Sequence, residues 1–230
     1  MTFRGGFVTL DTMSRGGVVA LVSGGLDSWC LVQTLRKTRV AIHPVYVRCG
    51  LAWEPAELFW LREWLAKLPR AGLRALKVLH VPVHGLYGRH WSVTGRDVPA
   101  SDSRDAAVYL PGRNVLLLAH AAVYGIQQGL STIALGTLAG NPFQDAAPEF
   151  LHSFAACLKQ ALSRPVRIAT PLRRLTKARL IAAWPKGPLH LTFSCLSPSG
   201  NRHCGRCNKC AARRRAFQDV AGPDPTRYAE

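Results

Sequence analysis

Acidic residues, long apolar runs and tight basic clusters are all scarce in this sequence. Thirteen Asp and Glu stand against 30 Lys and Arg in 230 residues, a formal net charge of +17. The imbalance excludes an acidic scaffold and favours anionic company: nucleic acid, nucleotides or an acidic partner. Yet the positive charge is spread out. Arginines adjoin only at Arg173-Arg174 and Arg213-Arg214-Arg215, and no aromatic-basic RNA-binding string is present, so nucleic acid is not the favoured partner. No stretch approaches the roughly 18 consecutive apolar residues that a membrane span requires. The first residues also lack the apolar core of a secretory signal, so a cytoplasmic protein with no membrane partner is expected. A Walker loop ending in Lys-Ser or Lys-Thr is missing too, which disfavours γ-phosphoryl transfer of the kinase type.

What the sequence does contain is organised around SGGLDS, Ser23 to Ser28. The β-branched run Val18 to Val22 before it reads as a buried parallel strand, and Trp29, Leu31, Val32 and Leu35 after it recur at helical spacing. The turn therefore sits at the carboxyl end of a strand, where α/β sheets bind ligands. Gly24 and Gly25 allow close backbone approach, and the following helix directs unpaired N–H groups into the loop. An anion is the natural occupant. Ser23 and Ser28 add hydroxyl donors, and the Asp27 carboxylate suits a magnesium ion bridging phosphates, which points to pyrophosphate rather than a single phosphate. Val22 and Leu26 complete the strand-to-helix turn.

Cys195, Cys204, Cys207 and Cys210 form a C-x8-C-x2-C-x2-C pattern. This is metal-ligand spacing, and four thiolates fill a tetrahedral zinc shell without leaving a position for a reactive water. An iron–sulfur cluster is the alternative occupant. His203 is expected to be a solvent-facing neighbour of Cys204. Cys30 and Cys157 lie in apolar helical stretches and are expected to be buried and inert.

Between these motifs, strand and helix patterns alternate. Strands are expected at Val40 to Val47, Leu76 to Val83, Ile133 to Leu135 and Ile168 to Thr170. Pro44 argues that the first of these is an edge strand or a bulge. Helices are expected at Glu54 to Leu68, Val115 to Gln128 capped by Asn114, Pro148 to Leu162, and Lys177 to Trp184 capped by Thr176. Residues 84–112 show no sustained periodicity and form a long loop of the kind that is functional or disordered. That loop leads into Arg113, placed to reach an anion near a helix start. Alternation of this sort implies a doubly wound parallel sheet. The expected organisation is a tail at 1–16, an α/β nucleotide-binding body at 17–188, and a metal-stapled segment with a basic helix at 189–230.

SGGLDS resembles the SGGxDS loop of the PP-loop ATP pyrophosphatases. Together with PGRN at Pro111 to Asn114, TPLRRLTKARL from Thr170, and FSC…CGRCNKC around the four cysteines, it resembles the ordered motifs of the 7-cyano-7-deazaguanine synthase (QueC-like) family. The resemblance spans about Val18 to Phe217. It implies a Rossmann-like, adenine nucleotide alpha hydrolase-like fold with a C-terminal structural zinc, usually homodimeric. It implies an ATP-dependent ligase that uses ammonia to turn a deazaguanine carboxylate into a nitrile on the route to queuosine. Under it, the loop residues and Gly136 would bind ATP with magnesium, and Asp27, Ser28, Arg113 and Lys177 would be catalytic. Phe143 would stack on the substrate ring and Asp145 would accept from a guanine-like amino edge. The chain departs from the family after the fourth strand, where Gly136 to Asp145 stands for a longer acidic string, and after the second, where Arg48-Cys49-Gly50-Leu51 replaces Tyr-Gly-Gln. An acceptor on a tRNA base or a partner protein is the alternative reading.

Overall fold

The computed structural model describes residues 16–229; the expected tail lies, but for Gly16, outside the described residues. Five parallel strands form one sheet in the order β3-β2-β1-β4-β5. They are β1 (Val18–Leu21), β2 (Ile42–Arg48), β3 (Lys77–His80), β4 (Thr132–Ala134) and β5 (Arg167–Ala169). The main helices are α1 (Leu26–Arg36) after β1, α2 (Glu54–Ala66) after β2, α5 (Arg113–Gln127) before β4 and α6 (Pro148–Leu162) after it. Two one-turn helices, α3 (His84–Tyr87) and α4 (Trp91–Thr94), lie between β3 and α5, and α7 (Lys177–Ala183) and α8 (Asn208–Gln218) follow β5. No helix among the described residues is long and apolar enough to cross a membrane.

Two apolar layers sandwich the sheet because the strand period is two. Val18, Ala20 and Val22 join α1, α2 and α7 in one core, while Val19 and Leu21 join α5 and α6 in the other. On α5 the buried residues are Leu118, Ala121, Ala122 and Gly125, the spacing of one helical face. The chain runs outward from β1 through β2 and β3, then returns to the far side of β1 as β4. This reversal puts the switch point between β1 and β4, where a crevice opens at the carboxyl ends of the strands.

The structure corrects several local expectations. Pro44 lies in β2, which pairs on both sides and is not an edge. Odd residues of β2 bond to β1, as in Val22 N–H to Val45 O, and even ones face β3, as in Ile42 N–H to Gly72 O. Pro44 thus turns its missing N–H toward β3 between the Ile42–Leu73 bridge and the first paired residue, Lys77, where no ladder bond is lost. Asn114 does not cap α5; Gly112 occupies the cap with a left-handed φ of 70°. His203 is buried, not solvent-facing, and Cys157 is exposed, not buried.

Residues 84–112 are ordered by distant contacts, which periodicity does not register. Trp91 stacks on Trp53 at 5.7 Å, Tyr87 Oη donates to Pro111 O at 2.8 Å, and Asn208 N–H donates to Pro99 O at 2.9 Å.

Candidate nucleotide site and metal centre

The loop between β1 and α1 is built by its own serines and by two neighbours. Ser23 N–H donates to Ser28 Oγ at 2.8 Å, the two hydroxyls lie 3.2 Å apart, and Gly25 N–H donates to Ser23 Oγ at 3.2 Å. The loop closes into a small cup. A Cβ on Gly24 would sit 2.5 Å from Glu57 O, so only glycine fits there. Phe193 N–H donates to Gly24 O at 2.7 Å, which pins the cup to the C-terminal segment. Helix α1 begins after Gly25 with no side-chain cap, so its first N–H groups are available to an anion. Val22 and Leu26 have buried side chains and offer the crevice only their backbone. Gly136, after β4, packs closely on Asp27: a Cβ would stand 3.3 Å from Asp27 O, a tight contact.

Asp27 and Lys177 are brought together, with Lys177 Nζ 3.9 Å from Asp27 Oδ2. Both are about a third exposed or less, so the pair contributes little stability and is open to a ligand. Asp27 Oδ1 is buried and has no hydrogen-bond partner among the described residues. An orphaned carboxylate oxygen beside an anion cup suits a divalent cation.

Arg113 is not part of that pair. It opens α5 on the opposite face of the sheet, where its charge acts on Tyr46, Cys49, Glu57 and Tyr87. Its Nε is buried with no hydrogen-bond partner among the described residues. Beside it, the Asn114 side-chain amide donates to Asp145 Oδ1 and O, each at 3.2 Å, and Asn114 N–H donates to Asp145 Oδ2 at 3.1 Å. Asp145 is thus buried, each carboxylate oxygen accepting one bond from Asn114, and it holds the start of α5. Phe143 stacks on Tyr109, centroids 5.1 Å apart, and packs partly buried against the core.

The sequence reading missed two buried acids. Glu54 accepts from Cys49 N–H at 2.7 Å and Gly50 N–H at 2.8 Å, and so shapes the loop after β2. Glu57 accepts from Tyr46 Oη at 2.9 Å. Burial pushes the Glu57 carboxyl above its ordinary range, against the pull of Arg113 and of the Tyr46 hydrogen bond. Burial also raises the Tyr46 hydroxyl, and pushes the Cys49 thiol up to about 11. The signal was present: two acids one turn apart, opening a helix in a chain short of acids.

Cys195, Cys204, Cys207 and Cys210 are all buried, and their sulfurs lie within 4.8 Å of one another. A tetrahedral ion with bonds of about 2.3 Å has sulfur–sulfur edges of about 3.8 Å, so the group fits one metal ion. Backbone N–H groups of Cys204 and Ser197 donate to Cys195 Sγ at 3.2 and 3.3 Å, and Leu196 N–H donates to Cys207 Sγ at 3.5 Å; such donors stabilise thiolates. His203 points elsewhere: its Nε2 accepts from Ser194 N–H at 3.1 Å, and its ring packs on Phe193.

Residues 17–221 match the family described as queuosine biosynthesis protein QueC. The chain is 33% identical to the 7-cyano-7-deazaguanine synthase of Anaeromyxobacter dehalogenans, over 92% of this chain and 95% of that one. It is 30% identical to the protein of the same name from Methanothrix thermoacetophila, over 93% of this chain and 99% of that one. Among solved structures, the U34-tRNA thiolase NcsA from Methanococcus maripaludis, with its [4Fe-4S] cluster, is similar at a TM-score of 0.50 and 13% identity. That match covers 91% of this chain and 69% of the thiolase, a likeness of fold.

Proposed function

Because the chain belongs to the family of queuosine biosynthesis protein QueC, we propose that it is an ATP-dependent ligase making 7-cyano-7-deazaguanine from 7-carboxy-7-deazaguanine, ammonia and ATP. The observation that carries this reading is the similarity to 7-cyano-7-deazaguanine synthases along nearly the whole of both chains.

The geometry suits an acyl-adenylation. A substrate carboxylate oxygen attacks the α-phosphorus of ATP, the bond to the bridging oxygen breaks, and pyrophosphate leaves. The cup formed by Ser23, Gly24, Gly25 and Ser28, with the start of α1 behind it, supports binding of the departing pyrophosphate. Ammonia then attacks the acyl carbon, AMP leaves with the C–O electrons, the nitrogen loses a proton, and an amide results. A second adenylation, on the amide oxygen, allows AMP and a proton to depart and leaves the nitrile. Lys177, beside Asp27, would neutralise phosphate charge, and Arg113, whose Nε has no hydrogen-bond partner among the described residues, would meet the substrate carboxylate or acyl-adenylate on the other side of the crevice. Phe143 would cover one face of the ring. Asp145 would act as a positioning residue through Asn114. Asp27 would hold magnesium, which when bound offsets triphosphate charge.

The four cysteines suit a structural zinc, with no open ligand position. In this reading residues 17–188 are the nucleotide-binding body and 189–230 its zinc-stapled segment, and the protein works as a homodimer in the cytoplasm. Light scattering tests the dimer. Metal analysis is expected to find one zinc per chain, and stoichiometric iron would overturn that assignment.

The decisive experiment incubates the protein with ATP, magnesium, ammonium and 7-carboxy-7-deazaguanine and analyses the products by mass spectrometry. AMP, pyrophosphate and the nitrile are expected. AMP without nitrile, or AMP only when tRNA or a protein is added, would overturn the acceptor and spare the loop. An Asp27→Ala variant should fold and lose AMP formation.

A further inference from the structure

A second lysine stands at the crevice, on the metal-site segment. Lys209 is the second residue of α8, between Cys207 and Cys210, and is partly buried. Its Nζ lies 4.0 Å from Asp105 Oδ1, and it feels the fields of Lys177 and Asp27 as well. Lys177 Nζ in turn lies 3.9 Å from Asp27 Oδ2, so two ammonium–carboxylate pairs sit on neighbouring helix starts, α8 packing on α7, with Lys209 within the electrostatic reach of the second pair. The four groups come from α1, α7, α8 and the segment before α5.

Lys209 is not a loose surface lysine. The cysteines fix its backbone from one side. From the other, Asn208 N–H donates to Pro99 O at 2.9 Å, and the Asn208 amide donates to Ser103 O at 2.9 Å and Ser103 Oγ at 3.2 Å. Cys207 also bridges Ala100, and α8 packs on α7, the helix that carries Lys177. Two like charges within electrostatic reach of one another at partly buried positions repel, and a polyanion bound between them offsets that repulsion. The local carboxylates cannot do so fully: Asp105 is more than half exposed, and Asp27 belongs to the cup.

We infer that Lys209 is a further phosphate-binding residue, closing with Lys177 on the triphosphate of ATP or on the pyrophosphate it releases. The inference rests on the ATP reading of the loop. It makes the metal centre part of the nucleotide site, since the same short segment that binds the metal presents the lysine.

The test is calorimetric titration of the full-length protein with Mg-ATP and with pyrophosphate, with no acyl acceptor present. Lys209→Ala is expected to keep its metal and to bind both ligands about ten-fold more weakly, the size of one lost charge-assisted hydrogen bond. Lys209→Arg should recover most of that loss. Asp105→Asn should tighten both ligands, because it removes the counter-charge and leaves the lysine in place. A metal-loaded Lys209→Ala protein with unchanged affinities would overturn the inference, and so would an Asp105→Asn protein that binds no more tightly than wild type. If the alanine variant loses its metal, the Asp105→Asn titration decides alone. Wild-type protein that binds neither ligand sinks the ATP reading together with this inference, whereas failure of the nitrile assay alone touches only the acceptor.

Discussion

Glu57 is a carboxyl enclosed on every side, and its surroundings set the sign of its effect on stability. Tyr46 donates to it from β2, Glu54 lies one turn away on α2, and the Arg113 charge reaches it from α5. Its raised value means that the folded protein keeps this proton to higher pH than the unfolded chain does. Its contribution is therefore full below the unfolded value of 4.5 and is lost as pH rises through the folded value. Glu57→Gln keeps the size and an acceptor for Tyr46. It should gain in Tm over wild type as pH rises from about 5 to about 8, with the smallest difference at the acid end. Thermal unfolding across pH measures this, and a pH-independent difference would show that Glu57 does not titrate there. Gly24 is a steric case. Gly24→Ala would drive a methyl into Glu57 O and should cost about 1–3 kcal/mol, as overpacking does. It should also open the cup, so Mg-ATP binding should fall with Tm; wild-type binding would show that the loop yields more easily than its contacts imply.

Among the elements, the segment after α7 has the widest reach. It supplies the four cysteines, Phe193 against Gly24, Asn208 against the segment before α5, and Arg213, which donates to Leu189 O at 2.8 Å and to Thr192 Oγ1 at 2.9 Å. Each of these contacts depends on backbone that the metal site folds. Chelation, or Cys207→Ser, should remove several kcal/mol and lower Tm by about 10 °C or more. Nucleotide binding should fall in step with metal content. Metal analysis beside a thermal scan reads both, and a metal-free protein with unchanged Tm would reduce the cysteines to bystanders. By contrast α1, α6 and α7 needed no such help. Their apolar spacing, together with the Thr176 cap that accepts from Arg179 N–H at 3.2 Å, is local information, and the expected helix at Pro148–Leu162 appears with those same ends.

At the level of the whole molecule, the two cores are continuous with the C-terminal segment. Phe193 and the four cysteines share a core with β1, β2 and α5, while Ala216 and Phe217 join α1 and α2 in the other. A chain ending at residue 188 should therefore fail to fold: it should show no cooperative thermal transition and no Mg-ATP binding. A soluble, ATP-binding truncation would show that the body stands alone. By itself the sequence determined the parallel alternation, the strand-to-helix loop at Ser23 to Ser28, the four-cysteine group and the family. Each of these is written in residues that are neighbours in the chain or repeat at the helix or strand period. It did not determine that Pro44 lies inside the sheet, that Asp145 accepts from Asn114, that His203 is buried, that the Arg113 charge reaches Glu57 and Tyr46, or that Lys209 pairs with Asp105. Those are meetings between residues far apart in sequence, made by the strand order and by the metal segment folding back on the cup, and local pattern carries no record of them.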